Sequence, residues 1–122
     1  MIQLRTILAP ADNCGAKRLQ VMHLYRGFSH RQATIGDTAL AIVKDAIPNS
    51  MVKKKDKVKV VIVRTKKEIG RKDGSFIRFS DNAAVIIDAQ NNPRGTRIFG
   101  PIAREIKDAG FNKIASMAKE VY

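Results

Sequence analysis

Six residues near the middle of the chain, Val58-Lys59-Val60-Val61-Ile62-Val63, restrict the fold more than any others. Their β-branched side chains favour an extended backbone. In a strand, Val58, Val60 and Ile62 point one way while Val61 and Val63 point the other. A strand apolar on both faces has to be covered on both, so it belongs inside a closed or sandwiched sheet.

The flanking sequence supplies partners. Residues 6–9 form a short strand closed by Pro10, and residues 12–15 read as a turn, with Asp12 and Asn13 bonding their own backbone. Residues 17–26 alternate. Leu19, Val21, His23 and Tyr25 share one face; Arg18, Gln20, Met22, Leu24 and Arg26 share the other. After a loop over residues 27–33, residues 38–44 form a third strand. Ala39, Ala41 and Val43 oppose Leu40, Ile42 and Lys44, and small residues beside large ones suit a tight barrel. Residues 47–50 break the pattern at Pro48. Asp73-Gly74 marks a hairpin tip, residues 76–79 return, and residues 82–88 form a further strand. Short strands between turns indicate an all-β barrel or sandwich. Past residue 95 the period changes. Pro101 suits the first turn of a helix that carries Ile102, Ile106 and Ala109 on one side, and Gly110 suits its C-cap. Asn112 caps a second short helix with Ile114, Met117 and Ala118. The 122 residues suit one domain: residues 1–99 are β, with a basic hairpin at about 64–79, and residues 100–122 are short helices.

Charge sets the function class. Lys and Arg number 23 against 11 Asp and Glu, a net +12, and an excess of that size points to a polyanionic partner. Residues 53–78 hold eleven basic and three acidic side chains, two thirds of the excess. Neutralising phosphates with such a cluster releases condensed counterions, so affinity falls with salt; about six contacts give a log–log slope of about −4 to −5. Arg64, Arg71, Arg78, Arg94 and Arg97 add planar forks for phosphate. The chain has no Trp, two Tyr and five Phe, and Phe76 and Phe79 fall on opposite strand faces. Phe76 reads as core or barrel rim. With so weak a stacking platform, a folded RNA read by shape fits better than a free single-strand module of the cold-shock kind.

Other chemistry has little support. Cys14 is the lone cysteine; it excludes an internal disulfide, fits a reducing compartment and has no neighbours at metal-ligand spacing. His23 reads as a packing residue, and His30 has no acid–base partner in view. Asp12 and Asp37 are explained by turns. No phosphate-binding loop, nucleophile elbow, apolar transmembrane run, signal layout or lipid anchor is present. The expectation is a protein that is no enzyme, with no metal, no cofactor and no membrane partner.

Three segments carry a resemblance. They are Ala11-Asp12-Asn13-Cys14-Gly15-Ala16; Val61-Ile62-Val63-Arg64-Thr65-Lys66-Lys67 with Asp73-Gly74-Ser75-Phe76-Ile77-Arg78-Phe79 and Asp81-Asn82-Ala83-Ala84-Val85; and Gly95-Thr96-Arg97-Ile98-Phe99-Gly100-Pro101-Ile102-Ala103-Arg104-Glu105. The chain resembles, nearly end to end, the family of large-subunit ribosomal protein fourteen in its bacterial or organellar form. The resemblance implies a mainly β fold: a small five-stranded β-barrel with a protruding β-hairpin and two short C-terminal helices. It implies a structural, non-oligomeric component of the ribosome, in the cytoplasm or an organellar matrix. The partners implied are large-subunit ribosomal RNA, large-subunit proteins three and nineteen, and small-subunit RNA at intersubunit bridges. The candidate RNA contacts are Lys17, Arg18, Arg26, His30, Arg31, Lys53, Lys54, Lys55, Arg64, Lys66, Lys67, Arg71, Lys72, Arg78 and Arg94. The bridge residues implied are Lys44, Asn49, Ser116 and Lys119. A surface for a ribosome-silencing factor maps onto Thr96, Arg97 and Lys113. Three departures stand out: Cys14 replaces a usual serine, His30-Arg31-Gln32-Ala33 replaces a commoner Arg-Arg-Tyr-Ala, and Lys119 replaces a usual proline.

Overall fold

The computed structural model describes residues 2–25 and 32–122. Seven strands and two helices follow in order: β1 (Ile7–Pro10), β2 (Ala16–Leu24), β3 (Thr38–Ala46), β4 (Lys57–Arg64), β5 (Ile69–Gly70), β6 (Phe76–Ile77), β7 (Ala83–Ile87), α1 (Glu105–Asp108) and α2 (Asn112–Met117). Five strands close into a barrel in the order β1-β2-β3-β4-β7, and β5 and β6 form a separate two-stranded ribbon. The expected five-stranded barrel, hairpin and paired short helices are all present.

β4 has two apolar faces because it borders two cores. Val58, Val60 and Ile62 fill the barrel interior with Leu8, Leu19, Val21, Ala39, Ala41, Val43, Ala84 and Ile86. Val61 and Val63 face outward into a second cluster with Val85, Ile102, Ala103, Ile106, Phe111 and Ile114. The C-terminal segment is thus a lid on the outside of β4 and β7. Ala39 and Ala41 lie inside, where a five-stranded barrel leaves little room.

The closing seam is parallel: Ala9 pairs with Ala83 and Pro10 with Ala84. Ala9 N donates to Asn82 O at 2.9 Å and Ala11 N to Ala84 O at 2.9 Å. The N–H that Pro10 lacks would point away from β7, so proline costs this seam no hydrogen bond.

Four expectations are corrected. In β2 the register shifts between Val21, opposite Ala41, and His23, opposite Leu40. One extra residue at Met22 reverses the alternation. Leu24 is therefore buried, and Met22, His23 and Tyr25 are exposed; the His23 and Tyr25 rings meet edge to face at 5.2 Å. The first helix begins at Glu105, not at Pro101, because Ile102 is held in a parallel bridge: its N–H donates to Glu120 O at 3.0 Å and its carbonyl accepts from Tyr122 N at 2.9 Å. Ala103 is buried and Ala109 is exposed, the reverse of the helical reading. Gly110 does end the helix: at φ +97° it lets Phe111 N reach Ile106 O at 3.1 Å and its own N reach Lys107 O at 3.1 Å. Phe111 occupies the N-cap position of α2 and Asn112 is already helical. Phe76 is the fourth correction, at 72% exposed.

Candidate nucleic-acid interface

β4 separates the basic stretch into two groups. Its seven residue steps span about 23 Å, with Lys53, Lys54, Lys55 and Lys57 at one end and Lys66, Lys67, Arg71, Lys72 and Arg78 beyond the other. In the sequence, cations crowd both ends of the strand; the fold holds them apart as two charged poles.

At the first pole the lysines sit on a tight turn. Asp56 Oδ2 accepts from Lys53 N at 2.8 Å, and Lys55, at φ +73°, donates its N–H to Val43 O at 2.7 Å. The one carboxylate here is spent on the backbone. All four ammonium groups are exposed and have no ion-pair partner among the described residues. The antiparallel ladder brings β3's C-terminal end alongside, so Lys44 and Asn49 lie on this side; Asn49 turns the chain at φ +62°. Lys17 is exposed at the start of β2, and Arg18 is ion-paired with Asp45 at 2.7 Å. Lys59 Nζ donates to Asn91 Oδ1 at 3.0 Å.

The loop with Arg94, Thr96 and Arg97 is anchored at the same end. Asn13 Oδ1 accepts from Thr96 N at 2.8 Å and Arg97 N at 3.2 Å, and Asn13 Nδ2 donates to Thr96 Oγ1 at 2.7 Å. Gly95 packs so tightly there that a side chain would strike Asn13 Oδ1 and press on Cys14 Sγ. Thr96, Arg97 and Arg94 are exposed. No hydrogen bond or ion pair joins Thr96 or Arg97 to Lys113 among the described residues; Lys113 lies in α2, its carbonyl accepting from Ser116 Oγ at 2.8 Å. Lys113, Ser116 and Lys119 are exposed.

The second pole is partly neutralised. Arg64 is 8% exposed. Its Nη1 donates to Phe99 O at 3.0 Å and Pro101 O at 3.3 Å, and its guanidinium pairs with Asp81 at 3.1 and 3.3 Å. Arg64 is thereby a strut between the barrel and the C-terminal segment. Arg71 pairs bidentately with Glu105, Nε to Oε1 at 2.8 Å and Nη2 to Oε2 at 3.3 Å, tying the ribbon to α1. Lys67 pairs with Glu68 at 3.2 Å. Glu68's own backbone N–H, then Lys67, hold its carboxyl below the usual range, so it stays ionised and offsets that lysine. Lys66, Lys72 and Arg78 are exposed without an ion-pair partner among the described residues. Arg26, His30 and Arg31 lie outside the described residues.

Asp12 was read as a turn former and is a buried strut. It is 4% exposed, and its Oδ2 accepts from Ile86 N at 3.0 Å while Oδ1 has no hydrogen-bond partner among the described residues. Burial raises its pKa above 3.8 against the hydrogen bonds that lower it. A folded-state pKa above the unfolded one means that Asp12 favours folding most in acid. That contribution declines as pH rises from 3.8 through the raised value. Burial first, then the adjacent Asp12, pushes the Cys14 thiol up to about 12, leaving it protonated and inert at neutral pH. The partners Asp81, Glu105 and Asn13 carried no signal of these roles in the sequence, since each acts across a long stretch of chain. Among the described residues no group of three or more His, Cys, Asp or Glu side chains could hold a metal ion, and no helix is long and apolar enough to cross a membrane.

The family model for ribosomal protein L14p/L23e matches residues 1–122. Over 122 residues the chain is 54% identical to the large ribosomal subunit protein uL14 of Petrotoga mobilis, covering the whole of both chains.

Proposed function

The chain belongs to the ribosomal protein L14p/L23e family, and from that premise we propose that its two charged poles bind large-subunit ribosomal RNA. As a member, it is a structural protein of the large ribosomal subunit and not an enzyme. The observation that carries the RNA reading is the pair of cation groups set about 23 Å apart by a strand buried on both faces. A rigid spacer of that kind holds two packed RNA segments apart while neutralising each. Lys53, Lys54, Lys55 and Lys57 take one segment, with Lys17, Lys44 and Arg94 nearby. Lys66, Lys72 and Arg78 take the other. Arg64 and Arg71 support this arrangement from within. The test is binding of the purified chain to large-subunit ribosomal RNA across a salt series. A log–log slope of about −4 to −5 is expected for about six phosphates, and a slope near zero would sink the proposal.

The finer assignments rest on the same premise. Lys44 and Asn49 on one turn, and Ser116 and Lys119 near the C-terminus, face small-subunit RNA at intersubunit bridges. Large-subunit proteins three and nineteen are the protein neighbours. Thr96, Arg97 and Lys113 receive a ribosome-silencing factor, and Asn13 presents the first two of them. Arg97→Ala should weaken factor binding while leaving incorporation into the subunit intact. Asn13→Ala should do likewise by freeing the loop, and equal loss of incorporation in both variants would assign the loop to RNA or folding instead. A free single-strand module fits less well, because Phe76 stands alone as an exposed ring on the ribbon rather than within a platform.

A further inference from the structure

Among the described residues, one face of the barrel is left without the cover that the C-terminal segment gives to β4 and β7. Between the turn at residues 3–6 and strands β2 and β3 lies a cleft of about 330 Å³, lined chiefly by Leu4, Arg5, Gln20, Met22, Ile42 and Lys44. We propose that this cleft seats one unpaired nucleotide of the ribosomal RNA, its base against Leu4 and Met22 and its phosphates at Arg5 and Lys44.

The apolar floor is displayed by two local distortions. Leu4 is 58% exposed and Met22 40% exposed. Met22 faces out because of the bulge between Val21 and His23. Leu4 and Arg5 face out because the turn before β1 is tight: Arg5 adopts φ +69°, a conformation that costs a non-glycine residue free energy. The turn is pinned in place. Arg5 N donates to Val21 O at 2.8 Å, Thr6 N to Gln3 O at 3.2 Å and Gln3 N to Thr6 Oγ1 at 3.0 Å. Strain held this firmly, on a surface with no core to fill, is characteristic of a binding site.

The charges select the occupant. The lining contains two cations and no acid, and neither Arg5 nor Lys44 has an ion-pair partner among the described residues. Asp45, next to Lys44, is already paired with Arg18. An apolar floor between two free cations matches a flat base between two phosphates, and a guanidinium plane is itself a stacking surface for a base. The cleft has the volume of a single-ligand pocket, whereas a stable protein contact requires a far larger continuous surface. A duplex hides its base faces and would gain only the two charges.

This seat rests on the RNA-binding reading above, and the experiment separates the two. The full chain, labelled on its methionine methyl groups, is titrated with a short single-stranded oligoadenylate and with an RNA duplex. Ring currents from a seated base should shift the Met22 methyl more than the methyl of Met51, which is exposed on the turn beside the first pole. Met22→Ala, which removes the apolar floor without adding charge, should lower single-strand affinity about tenfold and leave duplex affinity unchanged. Arg5→Gly keeps the left-handed turn without the guanidinium and should also weaken the single strand, with thermal melts showing both variants folded. An unmoved Met22, an equal shift at Met51, or equal losses for duplex and single strand would overturn the seat. So would a Met22→Ala chain that binds both RNAs normally but loses a ribosomal-protein contact. If the chain ignores large-subunit RNA altogether, the functional proposal fails first; if it binds that RNA with Met22 silent, only the seat fails.

Discussion

Alanine in place of Gly100 should destabilise the fold by about 3 kcal/mol. Gly100 sits at φ +79°, and a Cβ there would run into Arg64 Nη1. The guanidinium would be driven off Phe99 O and Pro101 O, the two carbonyls flanking that glycine, and off Asp81. Arg64→Ala should cost a similar amount, about 3 kcal/mol, since it leaves half-buried carbonyls and Asp81 without their partner. Arg64→Lys should recover little of this, because one ammonium cannot match a fork that reaches three acceptor groups. Urea denaturation checks the stabilities. Salt-dependent RNA binding then separates a strut from a phosphate contact. Arg64→Ala, measured where it is still folded, should keep the full slope. Lys66→Ala should reduce the slope by about 0.7 to 0.9 while leaving stability alone. A normal melt with a reduced slope for Arg64→Ala would return Arg64 to the RNA surface.

The same arginine shows where a sequence stops being readable. Alternation is a local signal, so the two faces of β4 and the grouping of Ala39, Ala41 and Val43 on one face of β3 were legible, because each residue's side follows from its neighbours; that this face points inward came from the fold. The Asp-Gly hairpin tip and the Gly110 cap were legible for the same reason, as turn chemistry acts within a few residues. Arg64 was not. Its partners lie 17, 35 and 37 residues away, so it looked like one more cation in a basic run. Asp12 followed an apparent strand and looked like a turn, yet it accepts from Ile86, 74 residues on. Met22 and Leu24 were misplaced because a bulge inserts a residue without any mark in composition. The helix at Pro101 failed because a backbone bridge to the C-terminus competes for the same residues. The charge total and its crowding at both ends of β4 were legible; the pairing of Arg64 with Asp81 and of Arg71 with Glu105, which partly neutralises one end, was not.

Neutralising Lys53, Lys54, Lys55 and Lys57 together to glutamine should have the largest effect on RNA binding of any four-residue change. If the wild-type chain contacts about six phosphates, losing four should reduce the log–log salt slope from about −4 to −5 down to about −1 to −2. Affinity at physiological salt should fall by a factor on the order of 10² to 10³. The fold should survive: these side chains are exposed, and the turn is held by Asp56 and by backbone bonds to Val43 that glutamine does not disturb. The matched change at the opposite pole, Lys66, Lys67, Lys72 and Arg78 to glutamine, should cost less, because Glu68 already offsets Lys67. The comparison is decisive because the two variants differ in position more than in chemistry. Equal losses would mean that charge is used without regard to place. Loss confined to the second variant would make the ribbon the main RNA contact. A dominant loss from the 53–57 turn would fix the first pole as the principal seat of the RNA, with β4 setting how far from it the second segment lies.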